Sequence, residues 1–191
     1  RIHGANVAAL PGVALKYVCD PVADAAREVA GLLGAQVGTP DAVFADPSID
    51  VVVIGSPTDT HSDLINRAAA ARKHIFCEKP VDHNLAAIDQ ALEAVRRAGV
   101  KLQVGFNRRF DPNFARARQA VASGEIGQPR LLHIISRDPG PPPLAYVKVS
   151  GGMFLDMTIH DFDMARFLLG SEVEEVYTAA GVLVSDEIGQ A

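Results

Sequence analysis

The chain has 191 residues, enough for one large domain or two small ones, with the 48% hydrophobic and 21% charged content of a globular protein that buries a core. Its net charge of −5 provides no basic footprint for nucleic acid, and no apolar run approaches the roughly 18 residues needed to cross a bilayer. No secretory leader is legible, and the two cysteines, Cys19 and Cys77, form no spacing motif, which points to a reduced cytoplasmic setting rather than a disulfide framework.

Arg1 stands inside what reads as a helix marked by Ile2, Val7 and Leu10. Residues 14–19 are strand-like, and residues 24–33 form an Ala-rich helix stopped by Gly34. Pro40-Asp41 opens a short helix ending near Ala45. Residues 50–55 are almost continuously apolar, the pattern of a parallel strand buried on both faces. A helix over 62–71, a strand over 74–77, a long helix over 84–98 stopped by Gly99 and a strand over 101–104 follow. Such alternation predicts a doubly wound parallel sheet over residues 1–104.

Past Gly105 the pattern changes to a basic amphipathic helix over 112–123, an alternating strand over 130–136 and a proline-rich loop over 138–143. A helix over 152–169 and an alternating strand over 174–184 complete the chain. Residues 105–191 are therefore expected to form a second, α+β domain with an open sheet. The chain ends at Ala191 just after a strand-like run, so the sequence reads as a piece of a longer protein.

Five groups of residues could carry chemistry. In Phe76-Cys77-Glu78-Lys79-Pro80, a charged pair closes an apolar strand and a proline turns the chain, so Lys79 faces the crevice outside the strand ends, where ligands of parallel sheets bind. A solvated surface lysine is the alternative. Asp20, closing the strand at 14–19, sits where an acidic residue holds the adenosine ribose about 20 residues after the glycine-rich turn, or else it caps the helix after Pro21. Gly55-Ser56-Pro57-Thr58 gives an open turn after a buried strand, which a flat ligand can approach or whose hydroxyls cap the next helix.

Asp156 and His160 stand four residues apart in the expected helix and so share one face, a spacing that prepares a general base. With Asp161 they would also suit a metal, but the other histidines supply no further ligands at convincing spacing, so no metal is expected. Finally, Arg108 and Arg109 present fixed guanidinium donors suited to a hydroxyl-rich ligand, or pair with Asp111 at the surface.

Glu78-Lys79-Pro80, Gly105-Phe106-Asn107-Arg108-Arg109-Phe110 and the run Gly151-Gly152-Met153-Phe154-Leu155-Asp156-Met157-Thr158-Ile159-His160-Asp161, in that order, resemble the Gfo/Idh/MocA oxidoreductases over essentially the whole chain. The Asn-Arg-Arg-Phe-Asp segment, the proline loop with Asp138, and Asp-Met-Thr-Ile-His-Asp-Phe-Asp are most similar to members that act on inositol. The resemblance implies an NAD-dependent dehydrogenase in which Lys79, Asp156 and His160 are catalytic. It places Arg109, with Asn107 and Asp138, in the polyol pocket. It gives Asp20 to the adenosine ribose and sets Ser56, Thr58, His61, Glu78 and Lys79 along the NAD crevice. It implies a homo-oligomer, often a tetramer packed through the second domain's sheet. The family's first strand and glycine turn would precede Arg1, since His3 stands where a family histidine follows that turn. Alternatives are a related dehydrogenase of an aldose or inositol derivative, a non-catalytic nucleotide-binding sensor and a metal-dependent hydrolase.

Overall fold

Parallel strands alternate with helices through the first 105 residues of the computed structural model, which describes residues 1–183 and 185–189. The chain divides into two units, Arg1–Gly105 and Phe106–Ala191. In the first unit α1 (Ile2–Ala8), β1 (Tyr17–Val18), α2 (Ala23–Leu33), β2 (Gln36–Val37) and α3 (Pro40–Ala45) precede β3 (Val51–Ile54) and α4 (His61–Ala70). Then come β4 (His74–Cys77), α5 (Leu85–Ala98) and β5 (Leu102–Val104). All ladders are parallel, in one pair β1-β2 and one triple β3-β4-β5. This α/β arrangement agrees with the fold read from the sequence.

Helix boundaries follow local chemistry. Thr39 accepts from the Ala42 amide ahead of α3, and Asn84 accepts from the amides of Ala86 and Ala87 ahead of α5, each satisfying donors that the first turn leaves open. Gly99 ends α5 at φ 67°, a left-handed conformation that glycine adopts without a Cβ clash. The apolar stripes of α4 and α5 then pack on one sheet face. Ile65, Ala68, Ala69, Ala91 and Val95 close over Val52, Ile54, Ile75 and Cys77.

Two expectations for this unit are corrected. The strand at 14–19 shortens to Tyr17–Val18, because its ladder partner β2 offers only two residues. Strand β3 is buried on one face, not both. Val52 and Ile54 point into the core, whereas Val51 and Val53 are 54% and 42% exposed because α4 and α5 cover only the opposite face. On the face away from that core, α1 brings the His3 ring to 5.2 Å from that of Phe76.

The second unit holds α6 (Pro112–Ala122), two short helices α7 (Leu144–Val147) and α8 (Gly152–Asp156), α9 (Ile159–Leu169) and α10 (Asp186–Gly189). Asp111 caps α6 by accepting from the amides of Asn113 and Phe114. Among the described residues no strand forms here, so the open sheet expected from 130–136 and 174–184 is not seen; Val184 lies outside the described residues. Exposure does alternate with period two from Leu131 to Ser136, the mark of a strand-like side-chain pattern, but a strand needs a ladder partner.

The single helix expected over 152–169 also breaks, at Met157 and Thr158. The Thr158 hydroxyl donates to the carbonyls of Met153 (3.3 Å) and Phe154 (3.4 Å), and its amide reaches Met153 O (2.9 Å). A threonine that turns its hydroxyl back on the preceding carbonyls competes with the regular ladder there.

The two thiols differ sharply. Cys77 is fully buried at the end of β4, and burial, aided by the charge of Glu78, pushes its thiol up to about 12. Cys19 is exposed. Because the thiolate is the reactive form, titration with a water-soluble aromatic disulfide should modify Cys19 in the native protein and Cys77 only in denaturant. Equal fast reaction of both thiols would contradict this packing of β4.

Candidate active site

The parallel triple aligns three strand ends, since Ile54 pairs with Cys77 and Cys77 with Val104. The residues that follow, Gly55-Ser56, Glu78-Lys79 and Gly105, therefore emerge along one edge, where parallel sheets bind ligands. Gly105 is buried there, and a Cβ on it would meet Glu78 Oε2 at 2.9 Å and the Glu78 backbone at 3.3 Å. Only a glycine lets the exit of β5 pass so close to that carboxylate.

Glu78 is held from two sides. Its Oε1 lies 2.6 Å from His3 Nε2, and its Oε2 accepts from the Lys79 amide at 3.3 Å. Lys79 is half-buried beside it, ahead of a cis bond to Pro80. Across the edge, Ser56 Oγ and Thr60 Oγ1 are 2.6 Å apart, and Thr60 donates to the Pro57 carbonyl at 2.7 Å. Thr58 begins the 3₁₀ turn Thr58–Thr60 that leads into α4. His61 is 1% exposed, with both ring nitrogens against backbone carbonyls, Nδ1 at 2.7 Å from Pro80 O and Nε2 at 2.8 Å from Ser56 O. Asp20 is exposed just past β1 and accepts from the Val22 amide (2.8 Å), shaping the turn into α2.

In the second unit Asp156 closes α8 and accepts from the Tyr146 hydroxyl at 2.8 Å, a bond that raises the Tyr146 phenol above its ordinary range. His160 is the second residue of α9, its ring edge-on to Phe106 with centroids 6.5 Å apart. The break at Thr158 puts Asp156 and His160 on separate helices, so the shared helical face expected from their spacing gives way to a helix junction. Asn107 and Asp138 are exposed, Asp138 in the proline loop.

The two arginines do not pair with Asp111, which caps α6 instead. Arg108 Nη1 lies 2.5 Å from Asp161 Oδ1, which also accepts from Ser136 Oγ at 2.6 Å. Arg109 grips Asp163 through Nε (2.8 and 3.0 Å) and Nη2 (2.5 Å), with its guanidinium over the rings of Phe106 and Phe167. Asp163 is 6% exposed, and this pairing raises the Arg109 guanidinium further above its ordinary value. The sequence reading missed His3, Tyr146, Ser136, Asp161 and Asp163 as partners. No local signal pairs Arg108-Arg109 with Asp161 and Asp163, which lie 53 and 54 residues further along the chain. Among the described residues no three His, Cys, Asp or Glu side chains gather as a metal set.

Residues 1–106 match the model of the "Oxidoreductase family, NAD-binding Rossmann fold", and residues 114–190 that of the "GFO/IDH/MocA C-terminal domain". The chain belongs to the Gfo/Idh/MocA oxidoreductases. Within that family it is similar to the myo-inositol 2-dehydrogenase of Thermotoga maritima, 49% identical over all of this chain and 58% of that protein. It also matches the crystal structure of a myo-inositol dehydrogenase from Corynebacterium glutamicum, with 46% identity, a TM-score of 0.91 and coverage of 99% of this chain and 57% of that one. A scyllo-inositol dehydrogenase from Lactobacillus casei, solved with bound NAD(H) and scyllo-inositol, agrees at 29% identity and a TM-score of 0.73 over 88% of this chain and 52% of its own. The chain thus spans somewhat over half the length of these relatives.

For this Gfo/Idh/MocA chain, removing Arg109 strands a buried carboxylate, which typically costs 3–5 kcal/mol. Because the Arg109 side chain is 38% exposed, solvent screening reduces this, and Arg109→Leu should lose about 2–3 kcal/mol. Chemical denaturation measures it, and the double variant with Asp163→Asn should recover part of the loss. A single variant as stable as the parent would show that the pair contributes nothing.

Proposed function

We propose that the whole protein carrying this chain oxidises a ring hydroxyl of myo-inositol, or of a close cyclitol, to the ketone with NAD. The likeness of the entire chain to the Thermotoga myo-inositol 2-dehydrogenase carries this reading. The chain's residues fit a dinucleotide. The exposed carboxylate of Asp20 suits a ribose diol and repels a 2′-phosphate, favouring NAD over NADP. Ser56, Thr58 and Glu78 stand along the strand ends with hydroxyl and carboxylate groups to line the crevice. No Gly-x-Gly-x-x-Gly run occurs among the 191 residues, so diphosphate contacts are not assigned to this chain.

The nicotinamide, when bound, supplies the hydride acceptor. His160 takes the proton of the reacting hydroxyl, a task suited to an imidazole near neutral pH. Lys79 offers its ammonium to the same oxygen and stabilises the alkoxide that develops there. Asp156 holds His160 in the tautomer that leaves a lone pair for the substrate, with the Tyr146 hydroxyl fixing the carboxylate in turn. Asn107, Asp138 and the Arg109 nitrogen not spent on Asp163 supply hydrogen bonds to the other ring hydroxyls. Assembly as a homotetramer belongs to the same proposal and would be read from sedimentation of the whole protein.

His160→Ala in the whole protein should lower turnover by about 10²–10⁴ with folding intact. Lys79→Met, which removes the charge at similar volume, should also lower it strongly. Near-parental rates in either variant would remove that residue from the mechanism. Assays of myo-inositol, scyllo-inositol and aldoses with NAD and with NADP should give the highest kcat/KM for an inositol with NAD. A scyllo-inositol preference would follow the Lactobacillus relative, and NAD binding without NADH from any polyol would replace the enzyme with a nucleotide sensor.

A further inference from the structure

The buried ring of His61 meets two carbonyl oxygens, those of Pro80 and Ser56, at 2.7 and 2.8 Å. A carbonyl only accepts, so each bond at that distance needs a hydrogen on the facing nitrogen. A neutral imidazole carries one such hydrogen and an imidazolium carries two. With one hydrogen, a ring lone pair would face a carbonyl lone pair at under 3 Å in a site closed to water, an unmade bond of the costly buried kind. The contacts are therefore complete only when the ring donates from both sides.

The two carbonyls belong to different loops. Ser56 is in the turn that leaves β3, and Pro80 directly follows Lys79 in the turn that leaves β4. His61 thus ties together the two turns that form the crevice edge, through the backbone and from beneath. Ionisable groups on the segments around the ring are Asp59 and Asp63 beside it in sequence, Glu78 and Lys79 at the end of β4, and Asp82 and His83 beyond Pro80. Ser62, next to His61, donates to Asp82 and holds that carboxyl below its usual range.

We propose that His61 is a positioning residue, a doubly donating imidazole brace that locks the Ser56 turn to the Lys79–Pro80 turn and thereby sets where the Lys79 ammonium stands. This rests on the role given to Lys79 above, and it assigns His61 a place behind the crevice rather than a contact with cofactor. Both ring nitrogens of His61 are spent on backbone carbonyls. Its effect runs through Lys79, so loss of the brace misplaces a group that must meet the reacting oxygen within tenths of an ångström.

In the whole protein, His61→Gln keeps one donor and His61→Ala keeps none. At a temperature where circular dichroism shows both folded, kcat should fall roughly 10- to 100-fold, more for Ala than for Gln, with the KM for the cyclitol little changed. A folded Gln variant with parental kcat would overturn the proposal, as would a loss confined to thermal stability. The second readout is the ¹⁵N spectrum of histidine-labelled parent protein at neutral pH, with the His61 signals assigned by their disappearance in His61→Gln. Both ring nitrogens should be protonated, and an unprotonated His61 nitrogen would overturn the double donor. Parental turnover in Lys79→Met would reject the catalytic role of Lys79 instead, while the nitrogen spectrum still decides whether the brace exists.

Discussion

Parallel pairing of β3, β4 and β5 is the constraint from which the first unit's chemistry follows. Its register sets Ile54, Cys77 and Val104 side by side, so three chain segments leave the sheet at one level. Because side chains on a strand alternate, Ile75 and Cys77 lock into the core beneath α4 and α5, and the polar residues after Cys77 fall outside it. A slip of one residue would exchange those faces, burying Phe76 and exposing the fully buried Cys77. Apolar packing of a few Ile, Val and Ala residues thus decides where Glu78 and Lys79 stand.

Polar contacts then refine what packing delivers. In the first unit His3 and the Lys79 amide hold Glu78, Gly105 makes room for it, and His61 joins the two turns. Among the described residues of the second unit the buried apolar ones are Ala120 and Met164, and ion pairs carry much of the organisation. Arg108 and Arg109 reach from one 3₁₀ turn, Asn107–Phe110, to Asp161 and Asp163 on α9, and so fix the helix that bears His160. The bidentate geometry of Arg109 suits an orienting role, since a planar fork constrains the carboxylate it grips.

What could be read in advance was whatever is local. The opening at Pro40-Asp41 and the stops at Gly34 and Gly99 gave the helices, and apolar runs bounded by turn residues gave β3, β4 and β5. Quoted motifs around Lys79 and His160 pointed to the family that the comparisons then established. Pairwise tertiary facts were out of reach. Gln36-Val37 has no apolar run to announce a strand, and it pairs because β1 lies beside it. The break before α9 depends on which carbonyls the Thr158 hydroxyl meets, and the Arg108 and Arg109 partners lie more than fifty residues away. His61 read as one more polar residue near a crevice, whereas its burial and two carbonyl contacts come from loops brought together only by the sheet.

The most direct test of the proposed chemistry is a crystal structure of the whole protein with NADH and the cyclitol it turns over. The account predicts that Lys79 Nζ and a His160 ring nitrogen both stand within about 2.6–3.2 Å of one ring oxygen, on the carbon nearest the nicotinamide. A complex in which either group engages a different part of the molecule, with the reacting carbon attended by other residues, would contradict it.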